Sequence, residues 1–193
     1  VKILKREFKR RIDVHASVVW WNYWDIEHFT TVHKAYTNVK MLFENENMYI
    51  VALTWRLPIF SFFKSSGICT TIKTGKYKLE DYQSTFFNIA VKTEIEIEEI
   101  GEMSSLIISR YQFFLHGWRR ILAPFMYKMM AVWNQKVWDE DLPLKIRRQR
   151  VKEFGFKDFK GLPDKLEDRE SIKKWEQSLP VPRPKNSPIN EYL

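Results

Sequence analysis

Cysteine is almost missing from this chain: Cys69 stands alone among 193 residues. That rules out a disulfide within the chain, a four-cysteine zinc site and an iron–sulfur cluster held by its own thiolates. Cys69 itself lies in a strand-like stretch and is expected to be a small buried group. Glycine is scarce too, with six in all, and none falls in the spacing of a phosphate-cradling loop. Internal repeats are absent. There is no apolar run long enough to span a bilayer and no signal-peptide pattern. We therefore expect no stable membrane insertion and a cytoplasmic location.

What the chain has in surplus is aromatic. Eight Trp and fourteen Phe help bring the aromatic fraction to 16%, more than a small fold needs for packing alone. An apolar cavity would use that surplus, and so would a partner-covered surface. The net charge of +8 invites anionic partners. Its densest run, Lys145-Ile-Arg-Arg-Gln-Arg-Val-Lys152, has no interleaved aromatics and fits the solvated face of a helix. The length suits one domain with a tail. We expect a domain over residues 1–154 and a Pro-rich extension over 155–193, where residues 157–193 carry five of the eight prolines. That extension is expected to hold one short helix over 166–177, then extended chain that wraps the domain or meets a protein partner.

Residues 3–14 alternate as a strand with Leu4, Phe8, Ile12 and Val14 on one face, although Arg6 and Arg10 intrude there. Ser17 is a plausible N-cap for a short helix, and Asp25 for a second. An antiparallel meander should follow. Its strands are expected over 38–43, 48–57, 68–78, 84–91, 94–100 and 104–115, with Glu44-Asn-Glu-Asn47 as a hairpin turn. The segment 58–67, bearing Phe60, Phe62 and Phe63, is expected to be a loop able to lid a cavity. The strongest helical periodicity spans 118–138, where Trp118, Leu122, Phe125, Met126, Met129, Trp133 and Val137 share a face. Pro124 suits a first turn and would start that helix near Ala123. Pro143 should break it, with a further helix over 144–154.

Chemistry concentrates in Asn22-Tyr-Trp-Asp25-Ile-Glu-His28-Phe-Thr-Thr-Val-His33. Two of the four histidines lie here, five apart, with Asp25 three residues before the first. Imidazole and carboxylate together suit Fe(II), Zn or Mn, with a third ligand supplied from elsewhere. Polar residues at a helix–loop junction would leave the same pattern.

The order of elements, strand, two short helices, six-strand meander and long terminal helix, resembles the helix-grip fold of START, Bet v 1 and polyketide-cyclase-like (SRPBCC) proteins over residues 3–150. The phrase Val18-Val-Trp-Trp-Asn-Tyr-Trp-Asp25-Ile-Glu-His28-Phe is similar to a turn common among them. The resemblance implies an α+β fold in which a curved antiparallel sheet of about seven strands grips a long C-terminal helix around a cavity. The spacing Asn22-x-x-Asp25-x-x-His28-x4-His33 also resembles the catalytic domain of Rieske-type non-haem iron oxygenases. That likeness implies Fe(II) held by His28, His33 and a carboxylate of the terminal helix. Asp141 is the better motif match, whereas an unbroken helical wheel puts Glu140 on the cavity face. Asn22 and Asp25 would then be outer hydrogen-bonding partners, and electrons would come from a separate protein donor.

Three functions follow as expectations. The first is binding of an apolar small molecule (lipid, terpenoid or aromatic) against Trp118, Leu122, Phe125, Met126, Met129 and Trp133. The alternative is a mononuclear non-haem iron oxygenase domain lacking its own Rieske cluster. The third is a protein or nucleic-acid interaction module built on the basic run and the extension.

Overall fold

The structure, a computed structural model, describes residues 1–26, 28–56 and 62–153. Seven antiparallel strands form one sheet: β1 (Lys2–Ile12), β2 (Tyr36–Glu44), β3 (Met48–Arg56), β4 (Lys64–Gly75), β5 (Lys78–Thr85), β6 (Ile89–Gly101) and β7 (Ser104–Leu115). Their order across the sheet is β1-β7-β6-β5-β4-β3-β2. Two short helices, α1 (Ala16–Trp24) and α2 (His28–Val32), join β1 to the meander, and α3 (Ala123–Glu153) closes the described chain. By internal contacts the chain divides into two compact units, Val1–Ile146 and Arg147–Leu193. The sheet, α1, α2 and α3 as far as Ile146 make up the first unit. Of the loop expected over 58–67, residues 58–61 lie outside the described residues, whereas 64–67 are not loop but the opening of β4. The short helix expected over 166–177 and the Pro-rich extension also lie outside the described residues.

Strict alternation gives the sheet an apolar inner face and a charged outer one. On β6 the inward Ile89, Val91, Thr93, Ile95 and Ile97 are buried. The outward Lys92, Glu94 and Glu96 join a ladder of ion pairs with Glu80 and Arg110. Such exposed pairs add little stability each, but they keep this face in water. Inside, Met126 and Met130 of α3 pack on Ile89, Val91, Phe113 and Leu115. A second cluster gathers Tyr49, Val51, Leu53 and Trp55 of β3 with Ile26. Gly67 suits that packing, because a Cβ would lie 3.0 Å from the Trp55 ring, tighter than an ordinary contact.

The intruding arginines of β1 have a purpose in the fold. Arg6 donates to the Tyr127 carbonyl at 2.9 Å with its guanidinium 4.6 Å from the Tyr127 ring centre. Arg10 donates to Gln135 at 2.6 Å and lies over the Trp138 ring. Both fasten β1 to α3 through stacking and charge, with their apolar stems toward the core.

Several expected boundaries move. The strand expected over 68–78 stops at Gly75 and turns at Tyr77, whose φ is 59°. Strand β5 occupies 78–85, where a connection between the strands expected over 68–78 and 84–91 should have run. The latter is divided by a 3-10 turn, Phe86–Asn88, in which Phe87 and Asn88 both have positive φ, and its last residues join those expected over 94–100 in the single strand β6. Neither turn carries a glycine at its positive-φ position, so neither was marked in the sequence. His15, not Ser17, is the N-cap of α1: its Nδ1 accepts from the Ser17 amide at 3.1 Å. Pro143 does not break α3, which continues to Glu153. The proline forfeits one backbone bond, to the carbonyl of Asp139, and the buried contacts of Asp141 and Lys145 on either side hold the helix together.

Candidate metal centre

The two histidines are brought together by a helix that ends early. Asp25 closes α1 as its C-cap, with its amide bonded to the Trp21 carbonyl at 2.9 Å. The Phe29 amide then bonds to Ile26 O and opens α2. On a continuous helix, residues five apart would point about 140° away from each other. Because α2 stops at Val32, the chain turns at His33, whose carbonyl accepts from Tyr36 N–H at 3.0 Å. The imidazole centres thereby come within 5.2 Å. Phe29 stacks on Tyr36 and abuts both imidazoles edge-on, which locks their rotamers.

From α3, Asp141 enters the same point. His28, His33 and Asp141 each offer one ligand atom, and these atoms lie within 4.8 Å of one another, all three side chains buried. Asp141 Oδ1 is 3.2 Å from His33 Nε2 and 3.6 Å from His28 Nε2. The outward nitrogens are already engaged. His33 Nδ1 meets Glu140 Oε2 at 3.0 Å, and His28 Nδ1 meets the Asp25 carbonyl. A carbonyl only accepts, so His28 Nδ1 carries the proton and Nε2 a lone pair; Glu140 imposes the same tautomer on His33. Two nitrogen lone pairs then face one carboxylate oxygen, and that buried oxygen accepts no hydrogen bond despite the 3.2 Å approach. With both imidazoles neutral such an arrangement is repulsive, and either a proton on His33 Nε2 or a metal ion relieves it. The donor set therefore fits a borderline divalent metal.

The remaining Asp141 oxygen is taken. Lys145, fully buried one turn along α3, donates to Oδ2 at 2.8 Å and lies 4.7 Å from the Tyr23 ring centre. Burial drives the His28 pKa down to about 4, so its imidazole is neutral at pH 7. Burial also opposes charge on His33, but the carboxylates of Asp141 and Glu140 outweigh it and raise that pKa. Burial would raise Asp141 as well; His33 and Lys145 hold it well below the usual carboxylate range. The same field that pulls a proton onto His33 would pull in a metal ion.

Glu140 and Asp141 thus both reach His33, on opposite nitrogens, and only Asp141 also faces His28. Asn22 is buried on α1, and Asp25 acts through its backbone carbonyl, with its carboxylate 3.9 Å from His28 Nδ1. Of the expected cavity residues, Met126, Met129 and Trp133 line a chamber of about 70 Å³ with Trp55, Val91 and Phe113. Leu122 and Phe125 instead pack against the core under β6 and β7. Trp118 does not line the chamber: it is 59% exposed on a 3-10 segment, Gly117–Leu122, edge-on to Phe87. The helical wheel failed there because α3 begins only at Ala123. A second chamber of about 90 Å³ is lined by His28, His33, Asp141, Tyr49 and Asp81. The chambers share Tyr36, Gln83, Tyr111 and Trp133 as walls. Lys145 was missed as a site residue because it opens a basic run; its i+4 spacing from Asp141 was the available signal.

No protein-family model and no curated protein sequence matches the chain. Solved structures do. The Zhui aromatase/cyclase from Streptomyces sp. R1128 superposes with a TM-score of 0.62 at 12% identity, over 80% of this chain and 98% of that one. The fold is helix-grip. A START superfamily protein from Mycobacterium smegmatis gives 0.57 at 11% identity, over 76% and 98%. Dicamba monooxygenase bound to dicamba gives 0.59 at 10% identity; the match covers 92% of this helix-grip chain but 57% of the oxygenase. At these identities the likeness is one of fold. Among the described residues no helix is long and apolar enough to cross a membrane.

Proposed function

We propose that this helix-grip chain is a mononuclear non-haem iron protein of the oxygenase type, acting on a small apolar substrate held between sheet and α3. The observation that carries it is the convergence of His28 Nε2, His33 Nε2 and Asp141 Oδ1 on one buried point whose other polar atoms are already bonded. Two imidazoles and one carboxylate leave coordination positions open, and Fe(II) in that environment supplies oxygen activation. The chain's own residues do the rest. Glu140 and the Asp25 carbonyl hold the two imidazoles in the ligating tautomer. Lys145 occupies Oδ2, so that Asp141 offers Oδ1 alone. Tyr36, Tyr49, Tyr111 and Trp133 exclude bulk water from the chamber beside the ligands. With a single cysteine these 193 residues hold no thiolate-held cluster, so the electrons would come from outside them. The match to dicamba monooxygenase, although limited to fold, is consistent with this chemistry on this scaffold.

The test is oxygen consumption by anaerobically Fe(II)-loaded protein, supplied with a chemical reductant and a small aromatic compound. Uptake above that of free Fe(II), falling to background in His33→Ala, is expected. Uptake equal to free Fe(II), or unchanged in the variant, overturns the proposal. The second reading, a carrier of an apolar molecule, draws on the largely apolar chamber under Met126, Met129 and Met130. It requires apolar-probe binding with no metal dependence.

A further inference from the structure

Asp81 stands at the middle of the inner sheet face, paired across β4 with Thr71 and across β6 with Thr93. Its inward neighbours on β5 are Leu79 and Gln83. Every other inward position on β3 and β6 is apolar, aromatic or a neutral threonine. Thr71, itself wholly buried, donates to Asp81 Oδ1 at 2.6 Å. Among the described residues no Lys, Arg or His nitrogen lies within 4.0 Å of this carboxyl, although every carboxylate on the neighbouring outward rungs has a cation. Burial accordingly pushes its pKa up to about 6, against the Thr71 bond that favours the charge. The fold gains nothing from a lone carboxyl here; an apolar residue of that size would cost less. The carboxyl lines the 90 Å³ chamber, together with His28, His33, Asp141 and the rings of Tyr36 and Tyr49.

A carboxylate in a chamber that tyrosine and tryptophan rings also line has the make-up of an ammonium site: charge pairing from the carboxylate, ring quadrupoles from the other walls. The adjoining chamber of about 70 Å³, walled by Trp55, Phe113 and Met129, shares walls with the first and offers apolar surface to the body of such a ligand. We propose that Asp81 anchors the ammonium group of a small apolar amine, so that the amine-bearing end sits in the chamber that the candidate metal ligands also line. This names the substrate class of the proposed oxygenase and rests on that function for the fate of the amine, but not for its binding.

Binding is therefore measured on chelator-treated, metal-free protein, by quenching of tryptophan fluorescence with benzylamine, benzyl alcohol and toluene near pH 7.5. Wild-type protein should bind benzylamine at least tenfold more tightly than either neutral analogue. Asp81→Asn should lose that tenfold while keeping its affinity for toluene, which also reports that the variant is folded. Equal affinity of wild-type protein for benzylamine and toluene overturns the proposal without needing any variant. So does benzyl alcohol binding as tightly as the amine, or benzylamine binding unaltered by Asp81→Asn. Because no metal is present, any of these failures leaves the iron site standing, and failure of iron uptake leaves the amine result standing.

Discussion

Glu140 and Asp141 are neighbours in sequence, yet they address opposite nitrogens of one imidazole. The motif spacing pointed to Asp141 and the helical wheel to Glu140; the structure uses both because His33 lies edge-on between them. Glu140 sets the tautomer and Asp141 faces the proposed metal position. Replacing Glu140 with Ala should therefore weaken divalent-metal affinity by about 10- to 100-fold, as loss of a ligand's outer hydrogen bond does. Calorimetric titration with Co(II) checks this, and an unchanged affinity would refute the role. Asp81 makes a prediction in pH. Its carboxyl titrates near 6 in the folded protein, above its unfolded value. The folded state thus holds its proton longer, and stability falls as pH rises between about 4 and 6. His28 works the other way: its folded pKa near 4 is depressed, so its contribution is lost as pH falls from about 6.5 to 4. Comparing wild type with Asp81→Asn isolates the acid. By urea unfolding, the stability of the variant relative to wild type should rise by roughly 3 kcal/mol between pH 4 and pH 8. A constant difference across that range would contradict the assignment. Asp81 could not be singled out from sequence, because the strands expected over 68–78 and 84–91 left it in the connection between them, and only the register of β5 reveals which face it takes.

At the scale of elements, what periodicity encodes was legible. Residues 93–98 alternate strictly and form the inner-apolar, outer-acidic part of β6; Pro124 sits in the first turn of α3. What periodicity does not encode was lost: the turns at Tyr77 and Phe87 depend on positive φ at residues that do not advertise it. Pro143 was the opposite error, a strong local signal overridden by tertiary contacts. Asp141 lies two residues before it and Lys145 two after, and their buried pair bridges the proline. Pro143→Ala should restore the amide that the Asp139 carbonyl lacks and stabilise the protein by about 1–3 kcal/mol. Urea denaturation reads this directly, and a loss of stability would mean that the proline is needed for the local course of α3.

For the molecule as a whole, the helix-grip frame explains how residues more than a hundred positions apart meet. The turn after α1 delivers two imidazoles to one end of the sheet, and α3 crosses to deliver the carboxylate. Arg6 and Arg10 hold β1 to that same helix. The two histidines were legible as a motif and the carboxylate only as Asp141 or Glu140; the convergence of these candidate ligands was not legible, since it depends on where α2 ends and on a helix that survives its proline. The apolar chamber makes a separate prediction. Met129→Trp should fill it and weaken binding of an apolar fluorescent probe by about tenfold or more, while the protein still unfolds cooperatively; undiminished probe binding would move the ligand site elsewhere. The central claim is the metal centre, and metal content after anaerobic Fe(II) loading and desalting, read by elemental analysis, tests it most directly. The account predicts one iron per chain in the wild type and none in the His28→Ala, His33→Ala double variant. Wild-type protein that retains no iron, or a double variant that retains as much, would contradict it.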